Sequence, residues 1–173
     1  MKKITMLAVA LLSAATMFGA ENVIKNGSFE QLVAGKPANW YVKNPAGITF
    51  SSDGAPESGY VKFAPEIKDG KKVTLSFFQL ITGVVKSNTK YTLSYKLRTG
   101  KGFRGKVRLI AINDKWEKGA GDFVGGRFPA DWKEYKKVIT MPEYKKDARF
   151  IVMAEVIQGY VEIADIKLEE VSQ

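Results

Sequence analysis

Apolar and polar residues alternate with period two along most of the chain. Tyr91, Leu93, Tyr95 and Leu97 interleave with Thr92, Ser94, Lys96 and Arg98, which predicts a strand with one buried and one wet face. Residues 149–157 repeat the pattern, with Phe150, Val152, Ala154 and Val156 on one side. Residues 106–113 and 132–141 are further strands rich in Val, Ile and Tyr. Residues 73–81 are apolar on both parities apart from Gln79, which predicts a central strand or one shared with a ligand face. Shorter strands fit residues 40–43, 48–51 and 60–63. No segment after residue 20 keeps a helical period for three turns.

Turn signals punctuate these runs: Asp69-Gly70, Ser87-Asn88, Gly100-Lys101-Gly102, Pro142 and Gln158-Gly159. Many strands with regular turns and no helices predict one all-β domain, an antiparallel β-sandwich or jelly roll. Gly100-Lys101-Gly102-Phe103-Arg104-Gly105 lies between two strands, not ahead of a helix, so it reads as a hairpin tip and not a phosphate cradle. Residues 114–131 form the one long connection, and a connection of that length with Trp116, Phe123, Arg127 and Phe128 in it points to function. Asn26-Gly27-Ser28-Phe29-Glu30, with Trp40 beyond it, opens the fold on a large apolar anchor, and residues 160–168 are its expected partner. Val161 and Ile163 have one parity and Ile166 and Leu168 the other. A bulge at Ala164-Asp165 brings all four to one face and turns the Asp165 carboxylate sideways.

The chain has 173 residues, enough for one domain with a proper core. Residues 1–20 read as an export signal: Lys2 and Lys3, an apolar run at residues 6–12 too short to span a bilayer, and Gly19-Ala20 before Glu21. The expected localisation is therefore periplasmic or extracellular, with no membrane span after cleavage. Net charge is +9, or +7 without Lys2 and Lys3. For an exported protein this excess suits an acidic glycan, an envelope surface or simple solubility more than nucleic acid. The chain contains neither cysteine nor histidine. That excludes disulfides, Ser-His-Asp and Cys-His nucleophiles, and histidine-ligated zinc. Glu134, Glu155 and Asp114 are candidate glycosidase carboxylates, yet no spacing selects a pair.

Asn26-Gly27-Ser28-Phe29-Glu30 with Trp40, then Tyr91-Thr92-Leu93-Ser94-Tyr95-Lys96, Trp132-Lys133-Glu134-Tyr135 and the closing Val161-Glu162-Ile163-Ala164-Asp165-Ile166-Lys167-Leu168 resemble carbohydrate-binding modules of the family 4 and family 9 type. Those belong to the galactose-binding-like β-sandwiches. The resemblance covers the whole chain after residue 20. It implies a jelly roll of about eight to ten strands, non-catalytic binding of a polysaccharide or oligosaccharide, and often a structural calcium ion where the chain ends meet. One departure stands out: the family closes with two adjacent aspartates, whereas here Ala164 precedes Asp165. Glu30 and Asp165, with the carbonyl of Ser28 or of residues 47–52, are the candidate metal donors. The alternative is that Asp165 caps a turn and Glu30 pairs with a lysine.

Sugar binding needs flat rings against pyranose faces and planar polar groups for hydroxyl pairs. Trp116 is the candidate stacking platform, with Arg108, Gln79 and Glu155 as a polar floor on the outer face of one sheet. Arg98 and Arg127 are further bidentate donors and Tyr41 a further ring. Trp40 and Trp132 read as strand-end core rings. The alternative function on the same fold is a structural or adhesion sandwich that binds a protein or an acidic envelope surface.

Overall fold

The computed structural model describes residues 21–113, 115–116, 119–126, 128–144 and 147–172. The export signal expected at residues 1–20 lies outside the described residues. The strands, in chain order, are β1 (Leu32–Val33), β2 (Lys36–Pro37), β3 (Ile48–Ala55), β4 (Ser58–Phe63), β5 (Val73–Leu80) and β6 (Lys90–Thr99). After them come β7 (Arg104–Asn113), β8 (Gly119–Gly125), β9 (Lys133–Thr140), β10 (Ala148–Gln158) and β11 (Val161–Glu170). β1 and β2 form a small hairpin, β5-β10-β7-β8 a four-stranded sheet and β3-β4-β11-β6-β9 a five-stranded one. Every pairing is antiparallel. The chain crosses between the two larger sheets at almost every connection, as in a jelly roll. Among the described residues no helix is long and apolar enough to cross a membrane.

The expected alternation builds the core. Leu93, Tyr95 and Leu97 of β6 face Phe150, Val152 and Ala154 of β10 across one continuous interior. Phe29 is fully buried, with ring centroids at 5.8 Å from Trp40 and 6.0 Å from Phe77. Burying such a ring contributes about 2–3 kcal/mol. The turn that delivers it is specific: Asn26 has φ 51° and Phe29 φ 56°, and the Asn26 side chain donates to the carbonyls of Gln31 and Ala38 at 2.9 and 3.2 Å. Gly27 is required there, because a Cβ would stand 2.0 Å from the Ile166 carbonyl oxygen.

The two chain ends meet as the sequence predicts, although Asn26-Gly27-Ser28 form a turn and the opening segment pairs with β11 through an isolated bridge at Asn22 and not as a strand. Val23 N–H donates to the Leu168 carbonyl at 2.9 Å, and Ile166 N–H to the Gly27 carbonyl at 3.0 Å. The β11 register shifts between Ala164 and Lys167, with Asp165 at φ 52°, so the expected bulge is present and Val161, Ile163, Ile166 and Leu168 are all buried.

Four expectations need correction. Of the two readings of residues 73–81 the central strand is overturned: β5 is an edge strand whose second parity, with Phe78 and Leu80, lies on the outer face of its sheet. Residues 40–43 supply only a bridge, Tyr41 to Phe78, along that edge. The turn at residues 100–102 joins β6 to β7 in the opposite sheet and is an arch, not a hairpin tip. The middle of the long connection, Gly119–Gly125, is β8, which pairs with β7 along its whole length. Its glycines disguised a period-two pattern in which Ala120, Asp122 and Val124 face inward and Phe123 faces out.

Candidate functional site

The outer face of the four-stranded sheet is built by the residues that alternate with the core. Cross-strand registers set them in rows: Thr74–Glu155–Lys106–Gly125, then Ser76–Met153–Arg108–Phe123, Phe78–Ile151–Ile110–Gly121 and Leu80–Arg149–Ile112–Gly119. Ile110, Ile112 and Ile151 form a second apolar cluster, outside the main core, against which Phe78 and Met153 pack. An apolar strip therefore runs across the middle of an outward face, with charge on either side of it.

Arg108 Nη2 donates to Glu155 Oε1 at 2.9 Å, and Lys72 Nζ lies 3.3 Å from Glu155 Oε2. The Arg108 guanidinium carbon sits 5.5 Å from the Phe123 ring centroid. That ring is 63% exposed, and the same-face neighbours along β8 are Gly121 and Gly125, so no side chain of its own strand covers it. Lys106, Arg108, Phe123 and Gly125 line a groove of about 270 Å³. At the opposite edge Tyr41 stacks on Phe78, with centroids 5.2 Å apart and planes 16° apart, and the Arg149 guanidinium lies 5.1 Å from the Phe78 ring. The Nε atoms of Arg108 and Arg149 are buried without a hydrogen-bond partner. The Arg108 fork is held instead through Nη2, on Glu155.

No family model matches this sequence, and no curated protein matches it. Solved structures do. A family 61 carbohydrate-binding module, TmCBM61, in complex with β-1,4-galactotriose superposes with a TM-score of 0.60 at 16% identity, covering 88% of this chain and 100% of that one. A family 4 module gives a TM-score of 0.55 at 21% identity, covering 86% and 99%. The chain has the fold of a carbohydrate-binding module. The enzymatically active domain of tailspike protein 4 from bacteriophage CBA120 shares it, with a TM-score of 0.60 at 15% identity; the match covers 87% of this chain and only 21% of that one. Cyclases from Fischerella share it as well. The modules come from several families, so the expected likeness to families 4 and 9 holds at the level of the fold.

On this module fold the expected site residues separate. Arg108 and Glu155 are brought together, and Tyr41 lies on the same face, 55% exposed. Gln79 does not join them. It shares parity with Leu75 and Phe77, is 4% exposed, and faces inward. Its amide accepts from Lys25 N–H at 2.9 Å and donates to the Lys25 and Asn39 carbonyls at 2.9 and 3.1 Å, so it clasps the N-terminal segment. A polar break in an apolar strand read as a floor residue because polarity alone does not show the side chain's parity.

Arg98 lies on the other outer face, where its Nε donates to the buried Glu162. Trp116 occupies the turn between β7 and β8, 53% exposed at φ 61°. Four strand residues, roughly 13 Å, separate the Ile112 end of the sheet from Arg108, so Trp116 does not roof the Arg108–Glu155 pair. Arg127 lies outside the described residues. Phe123, one ring of the connection that the sequence points to, is the one beside Arg108, and Trp116 is not; the signal that separates them is the alternation of Gly121, Phe123 and Gly125 against inward Ala120, Asp122 and Val124.

The candidate calcium donors are differently disposed. Asp165 Oδ2 is 3.4 Å from Lys96 Nζ and its Oδ1 is 3.2 Å from Lys167 Nζ. Glu30 is exposed. The carbonyls of Ser51, Ser28 and Phe29 do converge, at 2.3, 2.9 and 3.0 Å from where a Cβ of Gly59 would stand. Among the described residues no three acidic side chains come together. The side-chain donors are thus an ion-paired aspartate and an exposed glutamate, and a cation at Asp165 would meet two ammonium groups.

Proposed function

We propose that this protein is an exported, non-catalytic carbohydrate-binding module whose ligand, a polysaccharide or oligosaccharide, lies on the outer face of the four-stranded sheet. The observation that carries the reading is the exposed Phe123 ring beside the Arg108–Glu155 pair, on a face with an apolar strip that the core does not need. A ring flanked by glycines offers stacking area, and a fixed guanidinium offers paired donors to vicinal hydroxyls. Structural neighbours include a module solved with an oligosaccharide, which supports the ligand class. Glu155 is held by Arg108 and Lys72, an arrangement that suits a binding group better than one of two facing glycosidase carboxylates. Export is supported by residues 1–20, with their two lysines, apolar run and small-residue ending.

Pull-down on insoluble polysaccharides and a soluble glycan panel test this, comparing wild type with Phe123→Ala. The ring is exposed, so its loss leaves the melting temperature within about 1–2 °C. Retention on a bound glycan falls about ten-fold, the effect of about 1.4 kcal/mol of lost stacking. No retention of the wild type on any glycan would return the chain to the structural or adhesion reading.

A further inference from the structure

The same face carries a charge imbalance that a neutral sugar does not call for. Its strand positions hold Arg104, Lys106, Arg108 and Arg149 against a single acid, Glu155. Both carboxylate oxygens of Glu155 are already engaged, Oε1 by Arg108 and Oε2 by Lys72. Arg149 has no carboxylate partner among the described residues; its guanidinium rests on Phe78. A neutral glycan presents hydroxyls that both donate and accept, so its site needs free acceptors as well as donors. Here the side chains left for a ligand on the charged part of the face are cationic donors.

Their placement is regular. Arg104, Lys106 and Arg108 alternate on β7, so three cationic side chains leave the same face of one strand at intervals of roughly 7 Å. Phe123 stands across from Arg108 on the neighbouring strand, and the groove between them runs toward Lys106 and Gly125. We infer that the ligand is an acidic glycan, a polymer of uronic acids, with sugar rings against Phe123 and carboxylates along the Arg104–Lys106–Arg108 line. Guanidinium forks match carboxylates in bidentate geometry, and Lys106 adds a point charge between them. Arg149 offers a further anion contact at the Tyr41–Phe78 end. This inference rests on the proposal that the face binds glycan, and the experiment separates the two.

Binding is measured by affinity electrophoresis to polygalacturonate, to its carboxyl-reduced neutral galactan, to a sulfated galactan and to polyglutamate. The proteins are wild type, Arg104→Ser/Lys106→Ser and a control double, Lys90→Ser/Lys136→Ser, which removes the same charge from the opposite face. Wild type is expected to bind the uronate polymer at least about ten-fold tighter than the galactan, and to show no comparable retention on polyglutamate. The first double variant loses at least about ten-fold on the uronate, a drop of the size two charged contacts supply; the control double does not. Equal binding to uronate and galactan would overturn the acidic specificity and leave the glycan reading standing. Binding to none of the sugars would overturn both. Equal retention on polyglutamate, or an equal loss in the control double, would reduce the effect to net charge and overturn the inference. Preference for the sulfated polymer would move the anion from carboxylate to sulfate ester and overturn it too.

Discussion

The two outward sheet faces use the same residue types to opposite ends. On the five-stranded sheet, Lys62, Glu162 and Arg98 form one cross-strand row. The Glu162 side chain, only 4% exposed, takes a hydrogen bond from Arg98 and lies 3.5 Å from Lys62. Each cation also lies on a ring, Arg98 at 4.6 Å from the Trp132 centroid and Lys62 at 3.8 Å from that of Tyr160. Asp165 is bracketed by Lys96 and Lys167 in the same manner. Within these clusters charges and rings satisfy one another. On the four-stranded sheet the cations outnumber the acids, and Phe123, beside Arg108, keeps most of its ring exposed. An arginine beside a glutamate and an aromatic ring is therefore not a binding signature by itself. What distinguishes the faces is whether each group's capacity is already used.

The largest effect that could break this contrast is Glu162→Ala. It removes the acceptor shared by two cations. Full burial would cost about 3–5 kcal/mol, but Arg98 and Lys62 are about a third exposed, which screens the loss to roughly 2–3 kcal/mol. A fall of about 5–10 °C in melting temperature is expected, with glycan retention unchanged. Loss of retention without loss of stability would mean that this face, and not the other, carries the site.

Next in size is Gly121→Ala on the open face. A Cβ there would meet the Leu109 carbonyl oxygen at 2.1 Å and Ile110 Cγ2 at 2.6 Å, so β8 must part from β7. A cost of about 1–3 kcal/mol is expected, together with weakened glycan binding, because Phe123 rides on the displaced strand. Gly125→Ala is the control. Its nearest neighbour would be Lys106 Cγ at 4.0 Å, and it should fold as wild type does. Thermal melts and the pull-down read both variants.

Much of this architecture is legible in the sequence because burial writes itself as period two. The strands at residues 90–99, 104–113 and 148–158, the meeting of the two ends and the bulge at Asp165 all follow from parity. Parity fails where glycine replaces a side chain. Gly119, Gly121 and Gly125 made β8 read as a loop, so the outward direction of Phe123 could not be read from parity. It fails again for Gln79, whose inward amide is satisfied by backbone groups of a segment 40 and 54 residues away in sequence. Arg98 and Arg108 are alike in the sequence, each outward on an alternating strand. Their different roles follow from Glu162 and Glu155 differing in what else holds them and in which rings lie beside them, and that information is cross-strand.

The seam between the sheets gives a smaller, pH-dependent effect. Tyr95 donates to Asp122 Oδ2 at 2.9 Å, and Lys137 donates to Oδ1 at 3.1 Å, closing the β8–β9 edge. Burial first, and then the Asp122 hydrogen bond, raises the Tyr95 phenol far above its ordinary value. Tyr144, whose hydroxyl donates to the Ala111 carbonyl at 3.0 Å, is raised by burial from 10.0 to about 12. A phenol raised in the folded state contributes stability that is fully present below the unfolded value and is lost as pH rises through the folded one. Stability should therefore hold up to about pH 10 and fall between there and about pH 12. Tyr144→Phe should flatten that fall by about 1–2 kcal/mol, measured by denaturant melts across the window. An unchanged slope would show that Tyr144 titrates alike in both states.

The smallest expected effect is that of calcium, and it asks whether the bulge on the closed face is held by ions of the protein's own. Asp165, at the bulge of β11, would be the carboxylate donor. Its oxygens, however, face Lys96 at 3.4 Å and Lys167 at 3.2 Å, so a divalent cation would enter against two positive charges. Ala164 beside it is buried, and its side chain supplies no oxygen. Melting in EDTA and in millimolar calcium should therefore agree within about a degree, whereas a site filled to a hundred times its Kd would add about 2.7 kcal/mol, several degrees here. Asp165→Asn sharpens the test. If lysine pairing is the whole role, the variant loses about 0.5–1 kcal/mol equally in both conditions, the range of partly exposed ion pairs. If calcium raises the wild-type melt by several degrees and Asp165→Asn abolishes the rise, the carboxylate belongs to the metal, and the closed face owes its order to an ion rather than to the pairing of its own charges.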